Sequence, residues 1–257
     1  APSSGQFATS GVNQGYFVNS NAAGFVAVKD GTLAIVFRGS DDTQDFIDAV
    51  FDQDGHYALL QALVLSALAY AQANGIEQVY VSGHSLGGSM AEWFAAAAGG
   101  YADAADLQFL IATFGSPGTR GAPSPPAAIA YEVVNLQHSE DSIPDLNYLH
   151  NGPVVTVERD GSDQHSSILY YNTLSQIALS PLGNLFAMDP AAYYVGLGDA
   201  ATDRFPADLA NQDLSRALYA LGVGGNDTLI GTSRADLLDG GDGNDTLDGG
   251  SGGDVMA

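Results

Sequence analysis

Apolar residues along this 257-residue chain come in short blocks divided by turn residues, and the spacing within the blocks changes from one block to the next. Thr32-Leu33-Ala34-Ile35-Val36-Phe37 is a continuous apolar run, which predicts a strand buried on both faces. Asp30-Gly31 divides it from the apolar run 24–29, a hairpin signal. Residues 16–18, 78–82, 107–114, 130–136 and 154–157 read as further strands. Helical spacing covers about 57–74, 86–98 and 166–179, with stops at Asn74-Gly75 and Gly99-Gly100. Residues 41–55 predict a short amphipathic helix and a loop. Strands alternating with helices imply parallel crossovers, hence an α/β fold with helices on both faces of a mostly parallel sheet. The core of this sheet domain, 1–221, is expected at about 16–180. Prolines and glycines break the pattern after Ser180, and a helical rhythm returns at 207–221. Residues 181–221 are therefore expected to form a helical tail.

From Gly222 the period becomes nine. Asp227, Asp236, Asp245 and Asp254 are evenly spaced, and Leu229, Leu238, Leu247 and Met256 each follow an Asp by two. Residues 240–248 and 249–257 match G-G-x-G-x-D-x-U-x in full. The two units before them are degenerate, with Val223 and Thr232 at the second glycine and Arg234 at the third. Glycines permit tight turns, the aspartate offers a hard oxygen ligand suited to Ca²⁺, and the apolar residue packs inside. A separate region, 222–257, is expected to form a short parallel β-roll in which Asp227 stacks with Asp245 and Asp236 with Asp254.

Composition narrows the range of partners. Thirty acidic residues face seven basic ones, a net charge of -23, so nucleic acid or an anionic membrane is a poor partner. The repeats point to calcium instead. No cysteine is present, which excludes disulfides and thiolate metal sites. The longest uncharged helical run, about 57–76, carries Gln61, Ser66, Gln72 and Asn74, so no transmembrane segment is expected. The chain opens on a polar Ser/Gly stretch without a signal-peptide pattern. It stops inside a repeat, and the natural protein is expected to continue.

The candidate chemistry centres on Gly83-His84-Ser85-Leu86-Gly87, a G-x-S-x-G turn between a strand and an Ala-rich helix. Side chains at the two glycines would collide with the neighbouring strand and with the helix. A serine hydroxyl needs a base, and the base an orienting carboxylate. His84 lies inside the turn and His56 precedes the serine, which leaves His138, His150 and His165. His165, before a helix, is preferred, with His150 the alternative. Asp141, in a loop after a strand, is preferred over Asp145 as the carboxylate. The backbone N–H groups of Leu86 and Ser40 are the candidate oxyanion donors.

Phe37-Arg38-Gly39-Ser40, Gly83-His84-Ser85-Leu86-Gly87-Gly88, Thr113-Phe114-Gly115-Ser116-Pro117 and Asp141-Ser142-Ile143-Pro144 occur in the order seen in the class 3 lipases, which this chain resembles over about 24–175. The resemblance implies an α/β-hydrolase three-layer sandwich. It makes Ser85 the nucleophile, Asp141 the orienting acid, His165 the base, and Ser40 and Leu86 the oxyanion hole. It also implies a lid after Ser40, here reduced or missing, since the stretch between Ser40 and the long helix is shorter than in the fungal lipases; as a separate departure, the fungal N-terminal helix is missing. The expected activity is hydrolysis of lipid carboxylic esters at a lipid–water interface, as a triacylglycerol lipase or esterase. A phospholipase A1 is the alternative, and a calcium-dependent binding or toxin module with a vestigial hydrolase domain is a third reading. The nonapeptides resemble the repeats-in-toxin (RTX) β-roll, which implies structural Ca²⁺, type I secretion from a Gram-negative bacterium, and an extracellular protein.

Overall fold

The computed structural model describes residues 6–7, 15–40, 52–123, 131–144, 149–159, 165–206, 208 and 215–257. The helix and lid expected within 41–51, and Asp145, lie outside these residues. The chain forms two compact units, one from residues 1–135 with 143–153, the other from 136–142 with 154–257.

The first unit is a mostly parallel sheet with helices. Its strands are β1 (Gln6–Phe7), β2 (Tyr16–Asn19), β3 (Ala22–Lys29), β4 (Thr32–Phe37), β5 (Gln78–His84) and β6 (Gln108–Phe114), neighbours in that order. β3 and β4 pair antiparallel around Asp30 (φ 51°) and Gly31 (φ 79°), the two left-handed residues that a tight hairpin requires. β4, β5 and β6 are parallel. The crossovers between them run through α1 (Gln53–Ala73) and α2 (Leu86–Ala97). The Asp52 side chain accepts a hydrogen bond from the Gly55 N–H and caps α1. Leu60, Leu63, Val64, Leu68 and Ala71 form its buried stripe. That stripe, with Leu86, Met90 and Phe94 of α2, joins Leu33, Ile35, Phe37, Val79, Val81 and Ile111 in one core.

The expectation that β4 is buried on both faces is corrected. Burial alternates along it, and Val36 is 39% exposed, with Phe25, Tyr80 and Leu110 similarly open on neighbouring strands. Among the described residues of this unit, the helices cover the face of Leu33, Ile35 and Phe37, so an unbroken apolar run does not by itself report two covered faces. Strand β7 (Tyr131–His138) carries the chain from the first unit into the second.

The second unit contains β8 (Val154–Arg159), α3 (Ser167–Leu179), α4 (Gly183–Phe186), β9 (Tyr193–Leu197), β10 (Arg204–Phe205) and β11 (Ala217–Leu221). The repeats follow as β12 (Gly224–Gly225), β13 (Thr228–Ile230), β14 (Leu237–Asp239), β15 (Asp242–Gly243), β16 (Thr246–Asp248) and β17 (Val255–Met256). β8, β9, β11, β14 and β17 are successive parallel neighbours. β10, β13 and β16 form a second parallel ladder. Alternate short strands thus stack on two sides, which is a β-roll.

The helical tail expected at 181–221 is also corrected. Among its described residues the only helical pieces are the four-residue α4 and a 3-10 turn at Pro190–Ala192, the regular remainder is the strands β9, β10 and β11, and β11 is buried at all five residues between β9 and β14. Ala-Leu-Tyr-Ala-Leu favours a helix locally, but parallel pairing on both sides overrides that preference. The roll core consists of Tyr194, Phe205, Leu218, Ala220, Leu229 and Leu238, with Leu247 against it. Met256, expected to point inward, is 51% exposed on β17, which pairs with β14.

Candidate active site and calcium-binding repeats

Ser85 stands between β5 and α2 with φ 56° and ψ -129°. A non-glycine residue in such a region costs of order 1–3 kcal/mol and persists only where its surroundings force it. The surroundings here are backbone. A Cβ on Gly83 would overlap the Gly87 carbonyl, and one on Gly87 would overlap the Phe37 carbonyl at the end of β4. The Ser85 N–H donates to the Phe114 carbonyl of β6 (2.9 Å), and the Ser85 carbonyl accepts the Gly88 N–H (2.8 Å). Both glycines are fixed by this turn, as their spacing predicted.

The remaining motifs of this unit pack round the same point. At Gly39 a Cβ would meet the Ser85 Cβ at 3.4 Å and the His84 carbonyl at 2.7 Å, so the exit of β4 runs beside the serine. Ser40 follows there and is exposed, whereas Leu86 is fully buried in the first turn of α2. Gly115-Ser116-Pro117-Gly118 is tied to the helices: the Ser89 hydroxyl donates to the Gly118 carbonyl (2.8 Å) and the Gln53 amide reaches the same oxygen (3.2 Å).

His150 pairs with Glu92, a carboxylate of its own unit. Its Nδ1 lies 3.0 Å from Glu92 Oε1, and Glu92 is fully buried. The same carboxylate accepts the Ser116 hydroxyl (2.7 Å) and the Asn151 N–H (2.9 Å). This satisfied cluster braces α2 against the β6 exit loop, a structural use of a histidine–carboxylate pair.

In the second unit the structure brings Asp141 and His165 together. His165 Nδ1 lies 2.8 and 3.0 Å from the two carboxylate oxygens of Asp141, which is 2% exposed. His165 is partly exposed. Tyr170 of α3 was not foreseen. Its hydroxyl donates to Asp141 Oδ2 (2.8 Å) and accepts the His138 N–H (2.9 Å), and its ring stacks on His138 at 3.9 Å. Burial, then the charge of Asp141, raises the Tyr170 pKa, so the hydroxyl keeps its proton and remains a donor. His138 is itself buried, with Nε2 3.0 Å from the Thr173 hydroxyl. Only helical spacing places residue 170 near residue 141, and a sequence does not show that a helix packs on that loop.

The four repeat aspartates stack in the expected pairs. The Asp227 N–H donates to Asp245 Oδ1 (2.9 Å) and the Asp236 N–H to Asp254 Oδ1 (3.0 Å). Asp227 and Asp236 are buried. Among the described residues no hydrogen bond reaches Asp227 Oδ2, a buried carboxylate oxygen that a cation would satisfy. Burial, then the charges of Asp245 and Asp199, raises the Asp227 pKa against the lowering effect of the Asp203 N–H bond. Among the described residues no three His, Asp or Glu side chains converge. Calcium fits the stacked pairs as one carboxylate per turn beside backbone carbonyls, a set of hard oxygens.

The class 3 lipase family model matches residues 57–150, and the RTX calcium-binding nonapeptide repeat model matches residues 221–256 in four copies. The chain is thus similar to the class 3 lipases over one segment and to the RTX calcium-binding repeats over another. Among solved structures, extracellular lipase LipA from Serratia marcescens aligns with a TM-score of 0.56 at 17% identity, covering 93% of this chain and 51% of that one. The chain thus spans about half the length of that lipase, and the likeness is one of fold. A triacylglycerol lipase from Penicillium expansum aligns with a TM-score of 0.37 at 17% identity, over 56% of this chain and 67% of that chain. No significant match is found among curated protein sequences. No described helix is long and apolar enough to cross a membrane.

Proposed function

We propose that the protein hydrolyses carboxylic esters of lipids through an acyl-enzyme, with Ser85 as nucleophile, His165 as base and Asp141 as its orienting acid. The observation that carries this reading is the strained Ser85 turn in a segment that matches the class 3 lipases. The Asp141–His165 pair supplies the other half. With Nδ1 engaged by Asp141, Nε2 is the nitrogen that takes the Ser85 proton as Oγ attacks the acyl carbon. The imidazolium then returns that proton to the leaving alcohol, and water repeats the sequence to release the acid. The Leu86 N–H at the start of α2, with the backbone at Ser40, receives the developing oxyanion. Asp227, Asp236, Asp245 and Asp254 hold structural Ca²⁺ with backbone carbonyls. The repeats and the fold of an extracellular lipase support a secreted protein exported by a type I system.

Replacing Ser85 with Ala should lower hydrolysis of a chromogenic acyl ester by about 10⁴-fold or more while circular dichroism stays unchanged. Retained activity in the folded variant refutes the reading. Positional products from a defined phospholipid separate triacylglycerol lipase from phospholipase A1 activity.

A further inference from the structure

The turn that precedes the matched repeats is built like one of them. Residues 198–206 read Gly-Asp-Ala-Ala-Thr-Asp-Arg-Phe-Pro and lie one coil before residues 222–230. The step is longer than between later coils, since Arg204 pairs with Thr228 whereas Thr228 pairs with Thr246. A nine-residue period therefore misses it.

The contacts agree position by position. The Asp203 N–H donates to Asp227 Oδ1 (2.9 Å), as the Asp227 N–H does to Asp245 Oδ1 (2.9 Å). The Gly224 N–H donates to the Asp199 carbonyl (3.1 Å), as the Asp242 N–H does to that of Val223 (3.1 Å). A Cβ on Gly198 would overlap the Asp203 carboxylate, as one on Gly222 would overlap that of Asp227. A Cβ on Gly225 would overlap the Ala201 carbonyl, as one on Gly243 would overlap that of Gly225. Phe205 is buried beside Leu229 in the apolar position. Independently, Asp227 is 1% exposed, lies between the Asp203 and Asp245 turns, and has an Oδ2 without a hydrogen-bond partner.

We propose that the calcium column begins one coil before the matched repeats, with a Ca²⁺ ion held between the turns 198–203 and 222–227 by the carboxylates of Asp203 and Asp227 and by backbone carbonyls. Two carboxylates stacked one coil apart repel each other, and a hard divalent cation relieves this while satisfying the carbonyls. Ca²⁺ takes six to eight oxygens at about 2.3–2.6 Å, which a stack of turns can supply. The site is independent of the ester-hydrolase reading.

Calcium bound per chain, measured by equilibrium dialysis on the intact protein, tests it. Asp203→Asn, shown to be folded by circular dichroism, should bind one ion fewer than the unsubstituted chain. An equal count overturns the proposal. Crystals of the unsubstituted chain grown in calcium decide the matter without a variant. An anomalous peak bonded to both Asp203 and Asp227 supports the site. Peaks only among the turns from residue 222 onward overturn it.

Discussion

The Ser85 turn and the coiled C-terminal region both depend on glycines against which backbone closes, yet different forces hold the backbone in place. At the turn, Gly83 and Gly87 meet carbonyls of α2 and β4, and a large apolar core from Leu33 to Ile111 clamps the strands and helices. In the roll, Gly225 and Gly243 meet carbonyls of the preceding coil, but the core there is a smaller cluster, from Tyr194 to Leu238, and Met256 outside it is half-exposed. What the roll lacks in apolar burial it makes up with carboxylates that grip the N–H groups of the coil before, and the buried Asp227 Oδ2 is open to a cation. A site for chemistry at neutral pH can be strained where hydrophobic burial restrains it. A stack of small turns needs a ligand to be rigid.

The largest effect expected on this contrast is catalytic. His165→Ala should lower ester hydrolysis by about 10³–10⁴-fold with little change in melting temperature, measured by steady-state kinetics. Calcium removal should act on the other region. At about 100 times its Kd, each bound ion stabilises the folded form by about 2.7 kcal/mol, so EGTA should strip amide-exchange protection from residues 217–257 while β4, β5 and α2 keep theirs. Equal loss in both would erase the distinction.

Smaller effects sharpen it. His150→Ala removes one partner of the buried Glu92 and should cost about 1–3 kcal/mol in urea unfolding, with the rate of ester hydrolysis retained in the folded protein. Tyr170→Phe deletes the hydroxyl that holds Asp141 Oδ2. It should lower kcat by about tenfold, since a hydrogen bond to a charged group contributes about 1.5–3 kcal/mol.

The elbow, the hairpin at Asp30-Gly31 and the stacking of the repeat aspartates were legible because each follows from a few adjacent residues with a steric requirement. The choice between His150 and His165 was not settled by sequence. Both precede ordered structure, and the fully buried partner of His150 is Glu92, far along the chain. β9, β10 and β11 were missed for a related reason: their register is set by neighbouring coils, while their own residues favour a helix or a break. Asp203 carries the same Gly-x₄-Asp-x-apolar signature as the later units, but two substituted glycines, at Asp199 and Ala201, and a longer step conceal it.

The most direct test of the account is where an alkyl fluorophosphonate attaches, read by peptide mass spectrometry in the intact calcium-bound protein. A single adduct on Ser85 is expected, retained in His150→Ala and slowed by orders of magnitude in His165→Ala. An adduct on another serine, or labelling of His165→Ala at the unsubstituted rate, would contradict it.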